Sequence, residues 1–521
     1  MTPPAPDNLN PSPPQPPRKR AKHTRSRLGC GVCRIRRVRC DRARPSCERC
    51  TTTGRKCDGY SLAAEDDSSA NAEDPDTLQL ILRSAPHVVQ TIPSELTTNI
   101  SLGPQAGRSF YYFQHNTALE FSGYFDSDLW SSLVLQISRR ETCVRQMVVA
   151  LGLLHESFHH DHAGSDCNSP SQALRKQAIN EYTEAIRLLN LHISTHGWAS
   201  LEITLLCSIL CVAFEWLRGD YATARTHLLS SISIMSQWKD KSIQHGTSLS
   251  SPSGHMIRTR LRPVCTTLVL QARSMSNSVV LPWDLALDLQ QGIQPFENLQ
   301  QARNSLDLIL ADILPETVTE EGPGREIDGK VWERARQLTK WSQYFNTYLS
   351  ENGLEESSSA PLTIMNLWHK TAYMLLITSI KDDEMAYDDF FLDFTDIVER
   401  TESLLSSSST KFSVDIGVVP LLYYVALKCR HPQIRRKAIG MLTSTPRREA
   451  VWDSLGAACV LQEVVHVEEK GLGEVHTHAD IPSSVRVCNM NVILDVESRR
   501  MQIRIMQQGP MIWGDAKVLT W

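Results

Sequence analysis

The chain has 521 residues, 41% hydrophobic and 21% charged, which suits a globular protein with one small module and one large domain. Its net charge of -4 hides a division: Arg18 to Cys57 holds fifteen lysines and arginines against two acids, and the rest of the chain is acidic. That split excludes a uniformly charged protein and points the cationic head alone at a polyanion.

Residues 1–17 contain eight prolines and little that is apolar, which predicts a disordered arm. Arg18, Lys19, Arg20, Lys22, Arg25 and Arg27 follow as a basic arm, up to residue 26 or so, fit to hold phosphates or to act as a nuclear-import signal. No apolar core segment of a secretory signal precedes them, so the 14 cysteines are expected in a reducing compartment, where metal binding outranks disulfides.

Residues 27–60 form the first module. Cys30, Cys33, Cys40, Cys47, Cys50 and Cys57 repeat the half-motif C-x2-C-x6-C twice, six residues apart. A C-x2-C pair brings two thiolates to one ion, and soft thiolates favour tetrahedral zinc. Six sulfurs suit no single tetrahedral ion, whereas two zinc ions need eight sulfur contacts, so two cysteines must bridge. A lone zinc on Cys30, Cys33, Cys47 and Cys50 would ignore the repeat, and a three-disulfide knot would need an oxidising compartment. Between Cys33 and Cys40 lie Arg34, Arg36, Arg37 and Arg39. A short helix there would turn Ile35 and Val38 to the metal core and Arg36 and Arg37 outward, with Arg34 and Arg39 at the sides. Outward guanidinium groups can bond guanine O6 and N7 in a major groove or clamp phosphates.

The run Cys30-Gly-Val-Cys33-Arg-Ile-Arg-Arg-Val-Arg-Cys40-Asp, with Arg44-Pro45-Ser-Cys47-Glu-Arg-Cys50, resembles the fungal binuclear zinc cluster (Zn2Cys6) transcription factors. The resemblance implies that Cys30, Cys33, Cys40 and Cys47 bind one Zn2+ and Cys30, Cys47, Cys50 and Cys57 a second, with Cys30 and Cys47 bridging. It also implies that Arg37, helped by Arg36, contacts a CGG-type triplet in double-stranded DNA. That family usually has lysine at the positions of Arg37 and often of Arg39. Pro45 matches the family's loop proline, which fixes the turn between the two halves.

Residues 61–105 read as an acidic, Ser/Ala-rich linker. Residues 106–521 read as a large all-helical regulatory domain, so the expected fold class is mainly α. Leu174, Ala178, Tyr182, Ala185 and Leu189 share one helical face. Leu201 to Leu217 and Tyr221 to Trp238 predict an antiparallel pair broken at Gly219-Asp220. The run Ile203 to Phe214 is apolar for 12 residues only, against the ~20 of a bilayer span, so it reads as a buried helix and no membrane contact is expected. Further helices are expected over Lys330 to Leu349, Pro361 to Ile380, Asp388 to Leu405 and Arg447 to Glu469, the last just after Pro446. Val485 to Val496 and Met501 to Met506 alternate as a short hairpin would.

Phe110-Tyr-Tyr-Phe113, Ser122 to Asp126, Val144 to His155 and Glu215 to His227 resemble the helical regulatory region found downstream in many of these regulators. Two polar clusters, His155, His159, His160, Asp161 and His162, and His476, His478 and Asp480, read as solvated residues at helix ends or loops. Asp388 to Asp396 reads as an amphipathic helix burying Phe391, Phe394 and Val398, and Cys207 and Cys211 read as core. No G-x-S-x-G elbow or phosphate-cradling glycine loop recommends an enzyme. The expected protein is a nuclear, sequence-specific transcription regulator of RNA polymerase II genes, its body meeting coregulators or a second subunit; the alternative is a helical scaffold or ligand-binding protein that uses the zinc module for protein contacts. No heptad pattern persists, which leaves monomer and homodimer both open.

Overall fold

The computed structural model describes residues 30, 32–33, 36, 38, 40–41, 43, 46–57, 102–125, 127–162, 170–245, 252–275, 292–313, 329–381, 383–495 and 498–521. The two arms, most of the linker, and Arg34, Ile35, Arg37, Arg39 and Pro45 lie outside them. The chain divides into two units, Met1–Leu96 and Thr97–Trp521.

In the first unit a single helical turn, α1 (Glu48–Thr51), follows Cys47. The Asp41 carboxylate accepts the backbone N–H groups of Glu48 at 2.9 Å and Arg49 at 3.3 Å, covering donors that the start of a helix leaves open.

The second unit is helical through most of its length. It begins with α2 (Pro104–Tyr112), which runs through a π-helical turn at Phe113–Thr117 into α3 (Ala118–Phe121). Next come α4 (Thr142–His162) and α5 (Pro170–His196), packed along each other. Ala178, Tyr182, Ala185 and Leu189 are buried as the 3.6-residue period requires, and Leu174 is half-buried. Helix α6 (Leu201–Arg218) is buried on nearly every side from Ile203 to Leu217, the behaviour of an all-apolar helix inside a large core. Cys207 and Cys211 lie in that core as read.

Gly219 ends α6 with φ 91°, a left-handed residue that lets its N–H and that of Asp220 reach back to the Glu215 carbonyl. Asp220 then accepts the Thr223 N–H at 3.0 Å and starts α7 (Tyr221–His245). The break expected at Gly219-Asp220 is therefore a C-cap followed at once by an N-cap.

Among the longer helices that follow are α8 (Arg262–Met275), α9 (Leu299–Ile313), α10 (Gly329–Glu351), α11 (Ala360–Ser379), α12 (Phe391–Ser407), α13 (Val419–Lys428), α14 (Pro432–Ser444) and α15 (Ser454–Glu469). Among the described residues, no helix is long and apolar enough to cross a membrane. Buried tryptophans tie these layers together, because each indole N–H finds an acceptor. Trp341 donates to the Ala302 carbonyl at 2.8 Å, Trp368 to the Gly417 carbonyl at 3.2 Å, and Trp452 to Ser274 Oγ at 2.8 Å.

Two segments differ from their sequence reading. The stretch 388–405 is a 3-10 turn (Glu384–Phe390) followed by α12, whose buried face is Phe394, Ile397 and Val398, while Phe391 is only half-buried. The helix expected from Arg447 begins only at Ser454. Before it, strands β2 (Arg448–Glu449) and β3 (Trp452–Asp453) form a small hairpin turning through Ala450 at φ 49°, with β2 parallel to β1 (Phe412–Ser413). Tertiary bonds override the helical period: the Arg448 N–H reaches the Lys411 carbonyl at 2.8 Å, and the buried Glu449 carboxylate accepts the Val419 N–H at 2.8 Å.

The hairpin expected near the C-terminus is present as β4 (Val487–Asp495) and β5 (Arg500–Gln507), antiparallel, and β6 (Lys517–Thr520) extends it to a three-stranded sheet. A cavity of about 150 Å³ lies where this sheet meets the helices, with Tyr221, Tyr423, Trp452, Met490, Val492 and Trp521 in its wall. A fully buried ionic cluster joins α13, α14, α15 and the start of β4. Glu468 receives Arg430 at 3.0 Å, Arg435 at 2.5 Å and the Val487 N–H at 2.7 Å, and Glu384 meets Arg430 at 2.8 Å. Each charged side chain at its centre thus faces an opposite charge, the condition under which buried charge is tolerated, while Arg435 Nη1 has no hydrogen-bond partner.

Candidate metal centre and nucleic-acid interface

The sulfurs of the six N-terminal cysteines converge. Cys30 and Cys47 lie 3.6 Å apart, Cys30 and Cys50 3.8 Å, Cys33 and Cys47 3.7 Å, and Cys33 and Cys50 3.9 Å. The sulfurs form two tetrads, Cys30–Cys33–Cys40–Cys47 and Cys30–Cys47–Cys50–Cys57, each within 4.8 Å throughout. Cys30 and Cys47 belong to both. Local backbone explains the convergence. The Cys33 N–H points at Cys30 Sγ at 3.4 Å, closing the first C-x2-C turn, and the Cys47 N–H points at Cys57 Sγ at 3.5 Å.

Cys30, Cys33, Cys47 and Cys50 are fully buried, and burial pushes all four thiols up from their ordinary value. Thiolates in so small a buried cluster need compensating cations, and one divalent ion in each tetrad supplies them. The donor set fits two zinc ions: eight contacts from six sulfurs, two of them shared.

The arginine segment is partly described. The Arg36 N–H bonds the Val32 carbonyl at 3.1 Å, and its guanidinium donates to Thr53 Oγ1 at 3.2 Å. Val38 corrects the expectation that it would face the metal: it is 41% exposed, and Val32 packs against the sulfurs in its place. The Val38 N–H bonds the Cys33 carbonyl five residues back, so α-helical arithmetic from Cys33 does not extend that far.

A second cluster corrects another reading. His155 and His159 are not solvated residues at a helix end: His155 is fully buried inside α4 and His159 is a turn further on. Both ring Nε2 atoms face the Glu120 carboxylate, His159 at 2.9 Å and His155 at 3.5 Å. The sequence did carry a signal for this. His155-Glu156-Ser157-Phe158-His159 has the H-E-x-x-H spacing, which sets two imidazoles on one helical face. In the other cluster His476 and Asp480 are exposed, as read.

The comparisons with known proteins come to the same place. A fungal Zn(2)-Cys(6) binuclear cluster domain matches residues 28–66, and a fungal specific transcription factor domain matches residues 109–387, more than half of the chain. The chain belongs to the fungal zinc-cluster transcription factors. Two zinc ions on six cysteines, with Cys30 and Cys47 shared, are that family's cluster. One relative, the aspercryptin biosynthesis cluster-specific transcription regulator atnN of Emericella nidulans, is 23% identical over 93% of this chain and 94% of its own. The transcription regulator lscL of Purpureocillium lilacinum is 27% identical over 40% of this chain and 48% of its own. The transcription factor lfc1 of Flammulina velutipes is 50% identical over 8% of this chain and 14% of its own. No solved structure matches.

Proposed function

We propose that this zinc-cluster factor is a nuclear, pathway-specific regulator of a biosynthetic gene cluster that acts by reading a CGG-type triplet, and that its body regulates rather than catalyses. The observation that supports it most is the pair of sulfur tetrads sharing Cys30 and Cys47, set directly beside four arginines in six positions. A metal core holds so small a module folded, and the arginines between Cys33 and Cys40 supply the guanidinium groups that a major groove would meet. Arg37 is the principal base contact and Arg36 its neighbour. Arg34, Arg39 and the basic arm (Arg18, Lys19, Arg20, Lys22, Arg25, Arg27) hold phosphates. The pathway reading draws on the relative of similar length whose name makes it a biosynthesis cluster regulator. The helical body is proposed to meet coregulators or a second copy of the chain.

Arg37→Ala tests the groove role. Binding to a CGG-containing duplex should weaken by about 1–3 kcal/mol relative to a scrambled duplex, with affinity for random DNA nearly kept. Equal loss on both duplexes overturns the role. Affinity should also fall steeply with salt, because the head releases counterions.

A further inference from the structure

We propose that Glu120, His155 and His159 form a third zinc site, inside the helical body and separate from the cysteine cluster. His155 and His159 stand one turn apart on α4, so both imidazoles leave the same face. Glu120, on α3, brings its carboxylate to them, and the three ligand atoms lie within 4.8 Å of one another.

Two observations distinguish this from an ordinary buried ion pair. Both Nε2 atoms are buried and have no hydrogen-bond partner, although each lies close to a carboxylate oxygen. The carboxylate is near the imidazoles but off the line of their N–H bonds. Ligands of one tetrahedral ion sit in that relation, roughly 3.3 Å apart for bonds of about 2.0–2.2 Å. His159 Nε2 stands 2.9 Å from Oε1 and His155 Nε2 3.5 Å from Oε2, so the two imidazoles face the two oxygens of one carboxylate at about that spacing, and Oε1 is the oxygen left for the ion.

The support around the three ligands is also that of a metal site. His155 Nδ1 lies 3.0 Å from Thr117 Oγ1, which fixes the ring and leaves Nε2 for the ion. Glu120 Oε2 accepts the backbone N–H groups of Lys411 at 3.1 Å and Phe412 at 3.2 Å, which lock the carboxylate in place. Tyr112, Phe121, Phe158 and Phe412 surround His155 with ring centroids 5.6 to 6.4 Å away, a dry shell that strengthens ligation. The His159 side chain is 28% exposed although its Nε2 is buried, so an ion would enter past this ring.

Two imidazoles and one carboxylate are the donor set of zinc sites with an open coordination position. Hydrolysis is not part of the proposal. Glu156, which stands where a metallopeptidase has its general base, is ion-paired with Arg108. The ion instead ties α3, α4 and the segment entering β1 into one unit, so occupancy would couple zinc supply to the firmness of this part of the body.

The test counts metal in the full chain. Wild type equilibrated with zinc and freed of excess should hold three equivalents, and His159→Gln and Glu120→Gln should each hold two with unchanged circular dichroism. Thr117→Val, which removes only the orienting hydroxyl, should weaken the third equivalent ten- to a hundredfold in a chelator competition. Reconstitution with cobalt separates the sites, since thiolate charge-transfer bands belong to the cysteine cluster and should be identical in all four proteins. Two equivalents in the wild type overturn the site. So does a third equivalent held equally by wild type, His159→Gln and Glu120→Gln, whatever the cysteine bands show.

Discussion

Glu468→Gln probes a fully buried charge of the helical body. The carboxylate is inaccessible to solvent and is shared by Arg430 and Arg435, themselves inaccessible, while it also holds the Val487 N–H. A neutral amide would leave two buried guanidinium groups short of a counter-charge, and breaking such a pair costs about 3–5 kcal/mol. Glu384, 2.8 Å from Arg430, still compensates one of them, which favours the lower end, about 3 kcal/mol. Urea unfolding followed by circular dichroism and by tryptophan fluorescence should show the midpoint fall. Glu184→Gln, at an exposed pair with Arg187, should leave it unchanged.

The sign of the pH dependence follows from the same contacts. Burial alone would raise the Glu468 carboxyl, but Arg430 and Arg435 outweigh it and hold the group below its ordinary value. The stabilisation is therefore complete above the unfolded value of about 4.3 and drains away as pH falls below it toward the folded value. Wild type should lose this part of its stability on acidification and the variant should not. A Glu468→Gln protein that unfolds with the wild type at neutral pH would refute the reasoning.

Other substitutions test separate links. Cys47→Ser removes a sulfur common to both tetrads and should cost both cluster zincs, whereas Cys57→Ser removes one outer ligand and should leave the Cys30–Cys33–Cys40–Cys47 tetrad loaded; zinc titration with a colorimetric chelator distinguishes them. Gly219→Ala should destabilise the body by about 1 kcal/mol, because a side chain resists φ 91° at the end of α6; thermal unfolding reads this. Gly152→Ala should cost more, since its Cβ would run into the Ser109 carbonyl oxygen where α2 crosses α4.

The zinc ligands were legible because metal geometry imposes a spacing, and spacing is visible in a sequence. Helix α5 was legible from its 3.6-residue period, and α6 from the length of its apolar run. What escaped was decided by contacts remote in sequence. Arg448 to Asp453 became a hairpin because Lys411 and Val419, some thirty residues away, supply its hydrogen bonds. Val38 was misplaced because a single i to i−5 bond ends the helical register. His155 and His159 were read as solvated although their spacing was in plain view; their partner Glu120 lies 35 residues upstream, so only the fold brings the three together.

That two zinc ions joined by two common cysteines shape an arginine-bearing wedge for a DNA groove is tested most directly by selecting bound duplexes from a random pool. The zinc-loaded chain should enrich a short GC-rich triplet, and the same chain stripped by a chelator should enrich nothing. Equal enrichment with and without metal, or a loaded protein that binds DNA with no sequence preference, would contradict it.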